Sequence, residues 1–178
     1  MRRMLFGLVV GLLTFASSAW AEGPIVRWDR IEGVLTPSGS PIEIGDQDNK
    51  IESHPAMWSV GRGRAMVNLE TAFVSFQLEG LAYANTITSS AIGALPENSP
   101  VKGTVVCNAG RSSPWPIEFA DTADFVLESG TGSFTGFVAI PPMCLQNPYG
   151  IAFLVRRTAD RPQCPDCFVA YGAGRTMQ

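Results

Sequence analysis

Between Glu22 and Gln178 nearly every apolar stretch is five to nine residues long, and a glycine, a proline or a short polar cluster ends it. Stretches of that length suit strands, since a globular helix usually runs past ten residues to present a buried face. The clearest strand is Ala72 to Glu79, where Ala72, Val74, Phe76 and Leu78 alternate with Phe73, Ser75, Gln77 and Glu79. Just before it, Ala65, Val67 and Leu69 alternate with Arg64, Met66 and Asn68. Glu70-Thr71 is a short connection, so the two stretches predict an antiparallel hairpin. Val101 to Cys107 would place Val101, Gly103, Val105 and Cys107 on one face. Phe125-Val126-Leu127, the loop Ser129-Gly130-Thr131-Gly132 and Phe134 to Ile140 read as a second hairpin, with loop glycines supplying positive φ. Ile25 to Leu35, Gly150 to Arg157 and Phe168 to Tyr171 complete the set.

Helical signal is poor. Thr86 to Leu95 is the best candidate, but it contains β-branched residues and Gly93, with Pro96 just beyond. The pattern predicts an all-β protein, a single antiparallel β-sandwich or barrel-like domain of about 8–10 short strands.

The N-terminus has a different grammar. Arg2 and Arg3 precede an apolar run from Met4 to Ala16, and Ala19-Trp20-Ala21 follows. That order reads as a cleavable signal helix spanning residues 1–21, with the domain occupying 22–178. The run falls short of the roughly 20 apolar residues of a bilayer span. The expected address is secreted or periplasmic. With no Ser or Thr before the arginine pair, the general secretory route fits better than twin-arginine export. A lipid anchor would need a cysteine at the cleavage point, and the first cysteine is Cys107.

The full chain carries a net charge of −3, and loss of Arg2 and Arg3 takes the remainder to −5. Its basic residues are scattered, which leaves no footprint for nucleic acid or an anionic membrane. No second apolar run approaches membrane length, so no span is expected once the signal is removed.

All four cysteines, Cys107, Cys144, Cys164 and Cys167, lie beyond the cleavage point, and an even count in an exported chain reads as two disulfides. Three pairings are possible. Cys107–Cys144 with Cys164–Cys167 is favoured, because the first pair flanks a strand-rich region and the second is local. In the loop-entropy model the first bridge contributes about 4 kcal/mol and the second about 2 kcal/mol.

Cys164-Pro165-Asp166-Cys167 is the one segment resembling a chemical motif, and its C-P-x-C form is similar to the active sites of the thioredoxin superfamily. The resemblance implies dithiol–disulfide exchange. The short tail after Cys167 is glycine-rich and aromatic, so it supplies no helix to stabilise a thiolate, and Asp166 opposes ionisation. A structural clip is the better reading. Zinc held by four cysteines would want a second C-x-x-C pair.

The lone His54 excludes a multi-histidine metal site, and no serine sits in a G-x-S-x-G turn, so His54 reads as an exposed loop residue. Ser99-Pro100-Val101-Lys102 matches S-x-x-K by letter, but Lys102 falls in an expected strand. Asp46, Asp48 and Glu52 alternate as calcium ligands can, yet Lys50 stands where a ligand would be wanted, and a solvated loop fits better. Glu118, Asp121, Asp124 and Glu128 read as solvent-facing acids rather than a glycosidase pair. Trp28, Trp58, Trp115, Tyr83, Tyr149 and Tyr171 could form a sugar-stacking platform, but most read as core or edge residues. Trp115, between two prolines and close to Arg111, is the residue expected to make a surface contact.

The function expected is therefore that of an exported β-sandwich, a non-enzymatic binding or structural module stabilised by disulfides. It would act on a protein or carbohydrate ligand through loops at the ends of the sandwich, with no cofactor or metal. The alternative is an extracytoplasmic thiol–disulfide protein using Cys164 and Cys167; a hydrolase with acidic catalytic residues is a third.

Overall fold

The computed structural model describes residues 23–35, 41–45, 50–54, 56–84, 100–110, 116–158 and 167–178. The signal segment, Arg111, Trp115, Cys164, Asp46, Asp48, Ser99 and the helical candidate at 86–95 lie outside the described residues. Thirteen strands run in chain order: β1 (Ile25–Gly33), β2 (Glu43–Gly45), β3 (Lys50–Glu52), β4 (Trp58–Ser59), β5 (Arg62–Asn68), β6 (Phe73–Glu79), β7 (Ala82–Tyr83), β8 (Pro100–Cys107), β9 (Glu118–Asp121), β10 (Phe125–Val126), β11 (Gly132–Phe137), β12 (Ala152–Arg157) and β13 (Phe168–Met177). Among the described residues one short helix, α1 (Pro142–Gln146), and a 3-10 turn at Pro148–Gly150 interrupt them. No helix among the described residues is long and apolar enough to cross a membrane.

Nine strands form one antiparallel sheet in the order β10-β8-β12-β13-β1-β5-β6-β11, with β9 pairing beside that path on β8. The expected hairpin is present: β5 pairs with β6 over its whole length, from Arg62↔Glu79 to Asn68↔Phe73. Its alternation is the one read from the sequence, with Ala65, Val67, Val74, Phe76 and Leu78 buried, except that Ala72, at φ 59°, belongs to the turn and not to the strand.

The sheet curls around those residues. Phe76 on β6 lies 5.1 Å from Phe153 on β12, 5.3 Å from Phe125 on β10 and 6.0 Å from Phe134 on β11, ring centre to ring centre. Strands far apart in the sheet order therefore meet across one interior, giving a curled half-barrel filled by aromatic rings. Gly103 on β8 makes room for them, since a Cβ there would stand 2.5 Å from Phe76 Cε1 and 2.9 Å from Phe153 Cζ.

The second hairpin differs from its expectation. Its turn forms, with Ser129 and Gly130 at φ 51° and 76° and reciprocal 2.9 Å backbone bonds between Glu128 and Thr131. The flanking strands, however, pair elsewhere: β10 with β8, and β11 with β6 from Gly132↔Leu78 to Phe137↔Phe73. Those pairings put Phe125 and Phe134 against the central Phe76, which a simple two-stranded hairpin would not do. The tight turn thus links the two ends of the curled sheet.

Two further features were unexpected. β13 runs on through Gly172 and Gly174 to Met177, because pairing with β1 holds the glycine-rich tail extended. α1 begins on Pro142, whose missing N–H costs nothing at a helix start. Ile140, Met143 and Cys144 carry this segment onto the interior core. Cys144 is bonded to Cys107 at the end of β8, with 4.9 Å between Cα atoms, as the favoured pairing required.

Part of the sheet has a second layer. Val106, Leu154 and Phe168 on β8, β12 and β13 form an outer apolar cluster with Val34 and Ile51, and Ile42 and Ile44 beside the β2–β3 hairpin pack onto it. β8 is consequently buried on both faces from Gly103 to Cys107, while β5 and β6 alternate in and out.

Candidate functional site

The described residues place one cleft where two neighbouring strands part. β1 and β5 are paired from Ile25↔Asn68 to Trp28↔Ala65, and there the ladder stops. Beyond that point β1 follows β13 to Gly33 while β5 follows β6 back to Arg62. The separation opens a hollow of about 820 Å³, bordered by Asp29 to Gly33 on one side and Gly61 to Arg64 on the other. Ile31, 3% exposed, lies beneath it against Gly63. A second hollow of about 610 Å³ continues over β5, β6 and β11, sharing Asp29, Arg64 and Gln77 with the first. Volumes of this order are ordinary for ligand sites.

The strand period decides which side chains face this groove. On β5 the small residues Gly63 and Ala65 turn inward, so Arg62 and Arg64 turn outward. On β6 the same period presents Ser75 and Gln77. Arg64 Nη2 donates to Gln77 Oε1 at 3.1 Å, directly across the β5–β6 ladder. Arg62 has no side-chain hydrogen bond or ion pair among the described residues.

At the other wall Glu32 is occupied on both oxygens. Arg30 Nη2 lies 3.3 Å from Oε1, and the Tyr171 hydroxyl donates to Oε2 at 3.3 Å. Burial, and then the Glu32 charge, push the Tyr171 phenol above its ordinary range, so it stays a protonated donor. This wall therefore offers a protonated hydroxyl beside an ion-paired carboxylate. Leu35, 58% exposed, and Val60 add apolar surface.

The residues singled out in the sequence fall elsewhere. Cys107 and Cys144 are a staple, 0% exposed. Cys167 is disulfide-bonded, 5% exposed and followed directly by the strand β13 rather than by a helix. His54 is half-buried rather than exposed: its Nδ1 accepts the Ala56 N–H at 3.0 Å, and its ring stands edge-on to Trp58 at 5.6 Å. Trp28 and Trp58 are core, Tyr83 stacks on Trp58 at 4.1 Å, and Tyr149 is exposed. Lys50 bridges Glu43 and Glu52 at 2.6 and 2.7 Å, which occupies one acid of the supposed calcium loop. Asp121 is no free solvent-facing acid: Lys102, Thr104 and Arg156 all point to it, at 2.5, 2.6 and 3.4 Å.

Sequence reasoning missed Arg30, Glu32, Arg62 and Arg64, and read Tyr171 only among aromatics expected at the core or an edge. The signal for two of them was present, since Arg62-Gly63-Arg64 in a strand puts both guanidiniums on one face. No family model matches the chain, and neither a curated protein nor a solved structure does.

Proposed function

We propose that this chain is an exported, non-enzymatic binding module, secreted or periplasmic after loss of residues 1–21, and that its ligand lies in the cleft between β1 and β5. The observation that carries the reading is the parting of two paired strands over a set of arginines on a disulfide-stapled sheet. The sheet fixes the backbone positions from which Arg62 and Arg64 project, on one face of one strand. The expectation of contacts from loop ends is thereby moved to a sheet face.

A thermal-shift screen tests this, comparing the full chain with its Arg62→Gln/Arg64→Gln variant against panels of oligosaccharides and peptides. Ligands that raise the midpoint of the parent chain, and no longer do so in the variant, are expected. The reading fails if no compound shifts the parent, or if every shift survives the double substitution.

A further inference from the structure

We infer that the ligand of this cleft is an acidic polysaccharide, a chain of sugar rings bearing about one carboxylate each. The inference deepens the reading of the chain as a binding module and rests on it. Three features of the groove select this chemistry.

The first is the arrangement of cations. Arg62 and Arg64 are successive outward positions on β5, about 7 Å apart at the strand rise. The next outward position is Met66, and Arg27 on β1 stands opposite it, bordering the second hollow. Arg62, Arg64 and Arg27 therefore form a diagonal row along the two joined hollows. A planar guanidinium presents paired donors that match the two oxygens of a carboxylate. Arg27 and Arg62 have no side-chain partner of their own among the described residues.

The second is what lies between the cations. Asp29 is shared by both hollows, and Glu32 lines the first. Ser75, Ser133 and Thr135 line the second, with Ser75 and Thr135 hydroxyls 3.3 Å apart. A hydroxyl-rich ligand needs acceptors as well as donors, and these residues supply both. A nucleic-acid strand brings a charge at every nucleotide, as a polyuronate does at every ring, so charge does not separate the two. A nucleic acid, however, would look for stacking rings. Trp28 and Phe76, which border the groove, are each 2% exposed and belong to the interior core, leaving Tyr171 as the only ring half-open to it among the described residues.

The third is the apolar end. Leu35, Ile42 and Val60 line the first hollow beside the charged groups. That mixture suits the C–H face of a sugar ring lying beside its carboxylate.

Isothermal titration of the full chain, expressed with its own N-terminal segment, tests the inference. The probes are oligogalacturonate, oligomannuronate, methyl-esterified oligogalacturonate of equal length, and oligothymidylate. At least one uronate oligomer is expected to bind, at least tenfold tighter than the esterified form, and to weaken as salt rises. Arg62→Gln/Arg64→Gln should cost at least tenfold in that affinity with an unchanged melting temperature. The inference is overturned if neither uronate binds, if the esterified chain or oligothymidylate binds as tightly, or if the variant binds undiminished. A neutral sugar or a peptide that binds and is lost in the variant would overturn the acidic-polysaccharide assignment while leaving the binding module intact. Failure of the thermal-shift screen would remove both.

Discussion

Two halves of one sheet use arginine in opposite ways. On β12, Arg156 is 2% exposed, reaches Asp121 at 3.4 Å and lies 5.6 Å from the Phe119 ring centre. Its neighbour Arg157 donates to the Tyr83 hydroxyl at 2.8 Å and lies over Trp58 at 5.4 Å. On β5, Arg64 holds only Gln77, and Arg62 is exposed. The difference follows from layering. β8 and β12 carry protein on both faces, so a guanidinium there must be satisfied internally. β5 and β6 have one face in water, where hydration satisfies the cation. The same side chain is scaffold in one half and solvated in the other.

The largest expected effect tests whether the covered half is the rigid one. Cys107→Ala with Cys144→Ala removes a bridge spanning 37 residues of sequence, and the loop-entropy model puts the loss at about 4 kcal/mol. Urea unfolding measures it; a loss under about 1 kcal/mol would show that packing alone fixes β8. Next comes Asp121→Ala, which leaves buried Arg156 and Lys102 without their shared carboxylate. Removing a carboxylate from a part-buried cluster of charge-assisted hydrogen bonds costs about 2 kcal/mol. A smaller cost than the Arg62→Gln/Arg64→Gln change would invert the contrast between the halves. Gly103→Ala probes where the halves meet, because the added methyl strikes both Phe76 and Phe153. Overpacking of this kind costs about 2 kcal/mol, again read by urea unfolding, and a neutral result would mean the two rings have room to move.

What the sequence disclosed follows from how local each feature is. The β5–β6 hairpin was legible because Ala65, Val67, Val74, Phe76 and Leu78 alternate across a short turn, and both facts sit in neighbouring residues. Ser129-Gly130 was legible as a turn, but not the partners of β10 and β11, since Phe125 and Phe134 find Phe76 only once the sheet has curled. α1 was illegible because five residues are too few to show a helical period. The cleft was harder still. It exists because β1 stays with β13 through Gly33 while β5 stays with β6 through Arg62, a competition between pairings distant in sequence. Tyr171 and Glu32 stand opposite each other across a ladder that joins nearly the two ends of the domain. No spacing along the chain announces that contact.

The smallest effects belong to the open half. Arg62→Gln with Arg64→Gln should change stability by no more than about 0.5 kcal/mol, as exposed positions usually do; a loss of 2 kcal/mol in urea would make them scaffold after all. Tyr171 offers a finer probe of the same wall. Its pKa is raised, first by burial and then by Glu32, so the folded chain holds the phenolic proton more tightly than the unfolded chain does. That contribution is complete below the unfolded value of about 10 and is lost as pH rises through the folded value. Phenolate absorbance should therefore show Tyr171 ionising above the ordinary range, with Tyr171→Phe identifying its share of the signal. Glu32→Gln should bring that ionisation part of the way down, because the charge goes and the burial stays. If Glu32→Gln leaves the titration unmoved, the carboxylate and the phenol are not coupled, and the wall of the cleft is looser than the 3.3 Å hydrogen bond describes.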